Sequence, residues 1–171
     1  MNAPPDVLHV VRQWVQRAEE DMRTAQHILT MRRDCPYGTA CFHAQQATEK
    51  YVKALLTSLS IDFPKTHDIG ELLALLPPTV ALPQSDIQQE TLTRYATVTR
   101  YPGDWAPITR REAEEAVQAA EMIRDAVRGE LPKEGIRIRP SAVKRRAVLT
   151  KTASSPSRSR KRKRRNPRKS R

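Results

Sequence analysis

From the N-terminus to about residue 131, apolar side chains return every third or fourth position, and no alternating run of four or more competes with them. A period near 3.6 residues puts such positions on one side of a helix, so this part of the chain reads as all helical. Val11, Trp14 or Val15, Ala18, Met22, Ala25 and Leu29 form one long stripe between Pro4–Pro5 and the Asp34-Cys35-Pro36 break, which predicts a first helix over about 6–32. A turn at Pro36 to Gly38 leads into a second helix over about 39–58, and two long helices joined so briefly must lie antiparallel.

A leucine-dense helix is expected over 69–76, stopped by Pro77 and Pro78, which cannot donate backbone hydrogen bonds and disfavour helix in the residue before them. Ser85 is placed as the cap of a fourth helix with Ile87, Leu92 and Tyr95 facing inward. Pro102-Gly103-Asp104 reads as a turn. Thr109 followed by Glu112 predicts a capped start for the last long helix, which presents Ala113, Ala116 or Val117, Ala120, Ile123 and Val127 to the bundle before Gly129 and Pro132 end it. The expected fold is an all-α, up-and-down helical bundle of four to five helices.

Charge divides the chain in two. Residues 1–132 carry 14 Lys and Arg against 18 Asp and Glu, whereas residues 133–171 carry 17 against one. The net +12 of the chain therefore belongs to its C-terminal part. Domain boundaries are accordingly expected at 1–132 for the bundle and 133–171 for a basic tail. The stretch from Ser154 to Arg171 has no large apolar residue and is expected to be disordered on its own, since nothing offsets the ordering cost. Its density of positive charge suits non-specific contact with nucleic-acid phosphates and reads no base sequence. Cys35 and Cys41, without a second pair, suggest neither a zinc site nor a disulfide framework and fit a reducing, cytoplasmic setting. No signal-peptide pattern and no membrane span is expected.

Three polar constellations stand out. In the second helix His43, Gln46, Lys50 and Lys53 fall within an arc of roughly 80°, beside an apolar arc of Ala44, Ala47, Thr48, Tyr51 and Leu55. Lysine supplies point charge to a phosphate, and histidine can donate a hydrogen bond or take a proton, so the stripe is a candidate anion surface. The same residues also suit a solvated helix face, or a histidine held by a nearby carboxylate. Lys65-Thr66-His67-Asp68 comes second: Thr66 or Asp68 can cap the leucine-rich helix, and Lys65 and His67 would complete a phosphate pocket if they face His43 and Lys50. The third is Thr99-Arg100-Tyr101-Pro102, where Arg100 offers a planar fork for phosphate and Tyr101, with Tyr95 or Trp105, a surface on which a base could stack. A buried tyrosine and an arginine salt bridge to Glu112 or Glu114 would account for the same residues structurally. No Gly-rich phosphate loop, His-Glu-x-x-His or Cys-x-x-Cys pattern occurs, and no metal or cofactor is expected.

Taken together, the Cys41-Phe-His-Ala-Gln-Gln-Ala47 core, the Thr66-His-Asp68 motif and the Arg100-Tyr-Pro102 motif resemble the HEPN family, the higher eukaryotes and prokaryotes nucleotide-binding domains, over residues 8 to about 131. The resemblance implies a helical bundle that pairs as a homodimer, binds a nucleotide or RNA, and works beside a minimal nucleotidyltransferase, as in toxin-antitoxin or nucleotide-transfer pairs. Many members are metal-independent ribonucleases with an arginine followed, after four to six residues, by a histidine near the start of the last long helix. Here Arg110 and Arg111 stand at that place, but the last histidine of the chain is His67. Arg23 and His27 lie in the first helix and are separated by only three residues. The resemblance therefore implies a non-catalytic binding module, with ribonuclease action through His43 or His67 as the alternative and the tail as a non-specific nucleic-acid binder as a third reading.

Overall fold

The structure is a computed structural model that describes residues 4–83, 86–99 and 105–136. Six α-helices follow one another: α1 (Pro5–Leu29), α2 (Tyr37–Ser58), α3 (Ile69–Leu73), α4 (Asp86–Val98), α5 (Arg110–Glu130) and α6 (Lys133–Ile136). Among the described residues there is no strand, as the period of the apolar positions required.

α2 is the centre of the bundle. Its largest interface is with the antiparallel α1, and it also packs against α5, α4 and α3. A helix covered on several sides cannot keep a simple two-faced pattern. Besides Ala44, Ala47, Tyr51 and Leu55, α2 buries Gln45, Thr48, Glu49 and Lys53. The surrounding core is built from Val11, Val15, Ala18, Met22 and Ala25 of α1 and from Ala113, Ala120, Ile123 and Val127 of α5. Alanine at so many of these contacts lets the helix backbones approach closely.

Local chemistry sets the helix ends. Asp68 caps α3 by accepting from the Glu71 amide at 3.0 Å, and Thr66 accepts from the Asp68 amide at 3.1 Å. α5 opens with a reciprocal capping box between Thr109 and Glu112. Ser85, expected to cap α4, lies outside the described residues. α1 ends at Leu29, not near residue 32, because Thr30 donates its hydroxyl to the His27 carbonyl at 2.7 Å and closes the last turn. α3 ends at Leu73, three residues earlier than the leucine pattern suggested.

Folded structure also continues past the expected limit at residue 132. α6 packs on α1, with Gly135 buried against it. A Cβ at position 135 would lie 3.1 Å from Val11 Cγ1, so the missing side chain is what permits the approach. The sequence hid this turn because Pro132 reads as a helix stop, whereas here it precedes a new one. Most of the basic tail, residues 137–171, lies outside the described residues.

Candidate functional site

The polar residues singled out on α2 are joined in one hydrogen-bonded network, and two carboxylates organise it. On the α1 side, Asp21 lies 2.8 Å from His43 Nδ1 through Oδ1 and 2.7 Å from Lys50 Nζ through Oδ2. Lys50 also donates to Gln46 Oε1 at 2.9 Å. Gln46 in turn donates to Gln45 Oε1 at 2.7 Å and to Glu49 Oε2 at 3.2 Å. On the far side, Glu49 accepts from Lys53 Nζ at 2.8 Å and from Gln45 at 3.1 Å, and its Oε2 is 3.0 Å from His67 Nδ1. Lys53 finally donates to the Thr66 carbonyl at 2.9 Å, and Gln45 to the His67 carbonyl at 3.2 Å.

Both histidines therefore present Nδ1 to a carboxylate. A carboxylate accepts only, so Nδ1 carries the proton and Nε2 is left for another partner. The glutamate end is the drier one: Glu49 is 4% exposed and Lys53 7%. Burial acts to raise the Glu49 carboxyl, but the hydrogen bonds from Lys53 and His67 outweigh it and hold it below the ordinary glutamate range.

This geometry changes the meaning of the stripe. Lys50 and Lys53 are not open donors, since each already faces a carboxylate. The sequence showed the cations in one arc but not the acids that meet them. Asp21 comes from another helix, and Glu49 lies just outside the arc, although its four-residue spacing to Lys53 was a signal for a helical ion pair. What stays open at the rim is Lys65, which is exposed, and His67, whose side chain is 57% exposed. Both stand on the segment that Lys53 and Gln45 tie to α2. His43 is less open, and Phe42 stacks edge-on to it at 5.4 Å between ring centroids.

The expected stacking surface at Tyr95 needs correction. Its ring is only 1% exposed and belongs to the core under α4, where burial pushes its hydroxyl up to about 12. Tyr101 and Arg100 lie outside the described residues. Arg110 and Arg111 are exposed and reach Glu114 and Glu115 at 2.7 Å each. No group of three or more His, Cys, Asp or Glu side chains among the described residues is arranged to hold a metal ion.

The HEPN domain model matches residues 11–130, which takes in most of α1, all of α2 to α5 and all of the described network. The chain belongs to the HEPN domain family. Two solved structures are similar to this HEPN protein. TT1696 from Thermus thermophilus is 35% identical, with 71% of this chain and 98% of that chain covered and a TM-score of 0.63. ST0689, described as an archaeal HEPN homologue, is 27% identical over 70% of this chain and 96% of its own, with a TM-score of 0.52. No curated protein matches the chain. Among the described residues of this HEPN bundle no helix is long and apolar enough to cross a membrane.

Proposed function

We propose that this HEPN protein is a homodimeric module that binds a nucleotide or an RNA end and acts beside a minimal nucleotidyltransferase, in a toxin-antitoxin or nucleotide-transfer pair. The observation that supports this reading best is the exposed Lys65–His67 segment fixed to α2 by Lys53 and Gln45. An imidazole held by Glu49 and a lysine two positions before it on the same tied segment suit a phosphate, because the ordering cost of the backbone that carries them has been met in folding. Lys50 and Lys53 act as positioning residues in this reading. Lys65, His67 and the Nε2 of His43 make the contact.

The test is titration of ATP, GTP and short RNA against the full chain at raised salt, which suppresses the long-range contribution of the tail. Binding that weakens in Lys65→Ala with His67→Ala supports the reading. No binding at millimolar ligand, or binding indifferent to both substitutions, overturns it.

One observation favours a second reading. Asp21–His43 and Glu49–His67 are carboxylate–imidazole pairs, the arrangement that orients a general base. Metal-independent cleavage of RNA through one of them is tested by incubating tRNA and mRNA with the protein in EDTA. RNA that stays intact at every protein concentration excludes it.

A further inference from the structure

Trp14 behaves unlike the rest of the α1 stripe. Its neighbours in that stripe, Val11, Val15 and Ala18, are fully buried, whereas the indole is only partly covered. The covered part is held firmly. Phe63 meets it edge-on at 6.4 Å between centroids, and the Lys53 ammonium stands 5.8 Å from the ring centre. The open part borders a surface groove of about 470 Å³ along α1, lined by Val10, Gln13, Trp14, Gln16 and Arg17 of that helix. That volume falls in the roughly 300–1,000 Å³ range of small-ligand sites.

The lining has a specific chemistry. A rigid aromatic wall suits a flat heteroaromatic ring, two amide side chains can meet the polar edge of such a ring, and a guanidinium suits a phosphate. The Arg17 pairing with Glu20 at 2.9 Å is largely exposed and so exchanges readily for a phosphate contact. Position relative to the network matters as well. The Lys53 ammonium beside the indole donates to the Thr66 carbonyl, so the groove lies one side chain from the Lys65–His67 segment. Along α1, Val10, Trp14, Arg17 and Asp21 share one side of the helix, and Trp14 stands about 10 Å from Asp21 by helical rise.

The geometry points to the Trp14 groove as a nucleobase subsite, in which the base of a nucleotide or of an RNA end stacks on the indole while Gln13 and Gln16 meet its edge and Arg17 a phosphate. This rests on the nucleotide-binding reading above and adds the place where the base is received. A base held there and a phosphate at Lys65 and His67 are the two ends of one ligand.

Only two tryptophans occur in the chain, so Trp105→Phe leaves Trp14 as the single indole emitter. In that full-length background at raised salt, AMP and tetra-adenylate are expected to quench the Trp14 fluorescence, and inorganic phosphate is not. Quenching by AMP as well as tetra-adenylate identifies a free-nucleotide site, and quenching by tetra-adenylate alone an RNA-end site; both support the inference. Trp14→Leu should weaken adenylate binding roughly tenfold without changing phosphate affinity. Because Trp14 also packs on Phe63, a second variant, Gln16→Ala with Arg17→Ala, alters only exposed side chains and should weaken the same ligands severalfold. Adenylate binding that depends on Lys65 and His67, yet neither quenches Trp14 nor changes in either variant, overturns the inference and leaves the binding reading standing. Absence of any adenylate binding overturns the inference, and absence of GTP and RNA binding as well overturns both.

Discussion

Glu49 and Lys53 sit one helical turn apart on α2, joined at 2.8 Å, and neither is more than a tenth exposed. Burying two charges in a bundle core is costly unless each is met closely, and here the carboxylate takes further hydrogen bonds from Gln45, Gln46 and His67. The pair also fixes the segment that follows α2, through the Lys53 bond to Thr66.

Breaking the pair from one side should therefore be severe. Glu49→Gln leaves the Lys53 ammonium buried without its counter-charge, and urea unfolding should show a loss of about 3–5 kcal/mol. Glu49→Gln combined with Lys53→Met removes both charges and should recover much of that loss. Equal destabilisation by the single and the double variant would show that the charges are not coupled.

The same carboxylate gives stability a direction in pH. Its folded pKa is depressed below the unfolded value of about 4.3, so the stabilisation is complete above that pH and disappears as pH falls through the folded value. Urea midpoints of the wild type and Glu49→Gln should be far apart at neutral pH and converge in acid. A gap that stays constant down to the acid limit would contradict the assignment.

Asp21 holds two partners on α2, His43 and Lys50, across the interface with α1. Asp21→Asn removes the charge that both face and should cost about 1–3 kcal/mol, the scale for leaving hydrogen-bonding groups unmet. Lys50→Met takes away one partner and should cost less. Thermal melts of the two variants, compared at one protein concentration, decide the order.

The two cysteines should differ sharply in reactivity. Cys41 is fully buried and burial pushes its thiol up to about 12, so little thiolate forms near neutral pH. Cys35 is partly exposed, with its thiol donating to the Ile28 carbonyl at 3.2 Å. Alkylation of the native protein at pH 8, followed by mass spectrometry, should find label at Cys35 alone, with Cys41 labelled once the chain unfolds.

Tyr51 is wholly buried, and its hydroxyl has no hydrogen-bond partner although Glu19 lies near it, itself engaged by Arg128. Burial, reinforced by Glu19, pushes the phenol far up. Tyr51→Phe deletes an unmet polar group while keeping the ring, so stability should be unchanged or rise by up to about 1 kcal/mol. A marked loss in calorimetry would mean that the hydroxyl is bonded in solution.

Features that depend on near neighbours along the chain could be read from the residues alone. The period of Val11, Val15, Ala18, Met22 and Ala25 required a helix and named its buried side, and Thr109 with Glu112 announced a cap three residues apart. The Cys41–Ala47 core, the Thr66–Asp68 motif and the Arg100–Pro102 motif together marked the family. Tertiary structure alone decided what those residues touch. Asp21 and His43 are 22 positions apart, and no periodicity links them until α1 and α2 lie side by side. Tyr95 read both as an inward position of the fourth helix and as a stacking ring, and the packing of α4 on α2 decided for the core. Pro132 reads as the end of the bundle until Gly135 of α6 is found against Val11. Helical spacing is a property of one segment, whereas the pairing of a buried charge depends on which other segment arrives, and desolvation makes that arrival decisive: it turned a stripe of lysines into a neutralised network with an exposed rim.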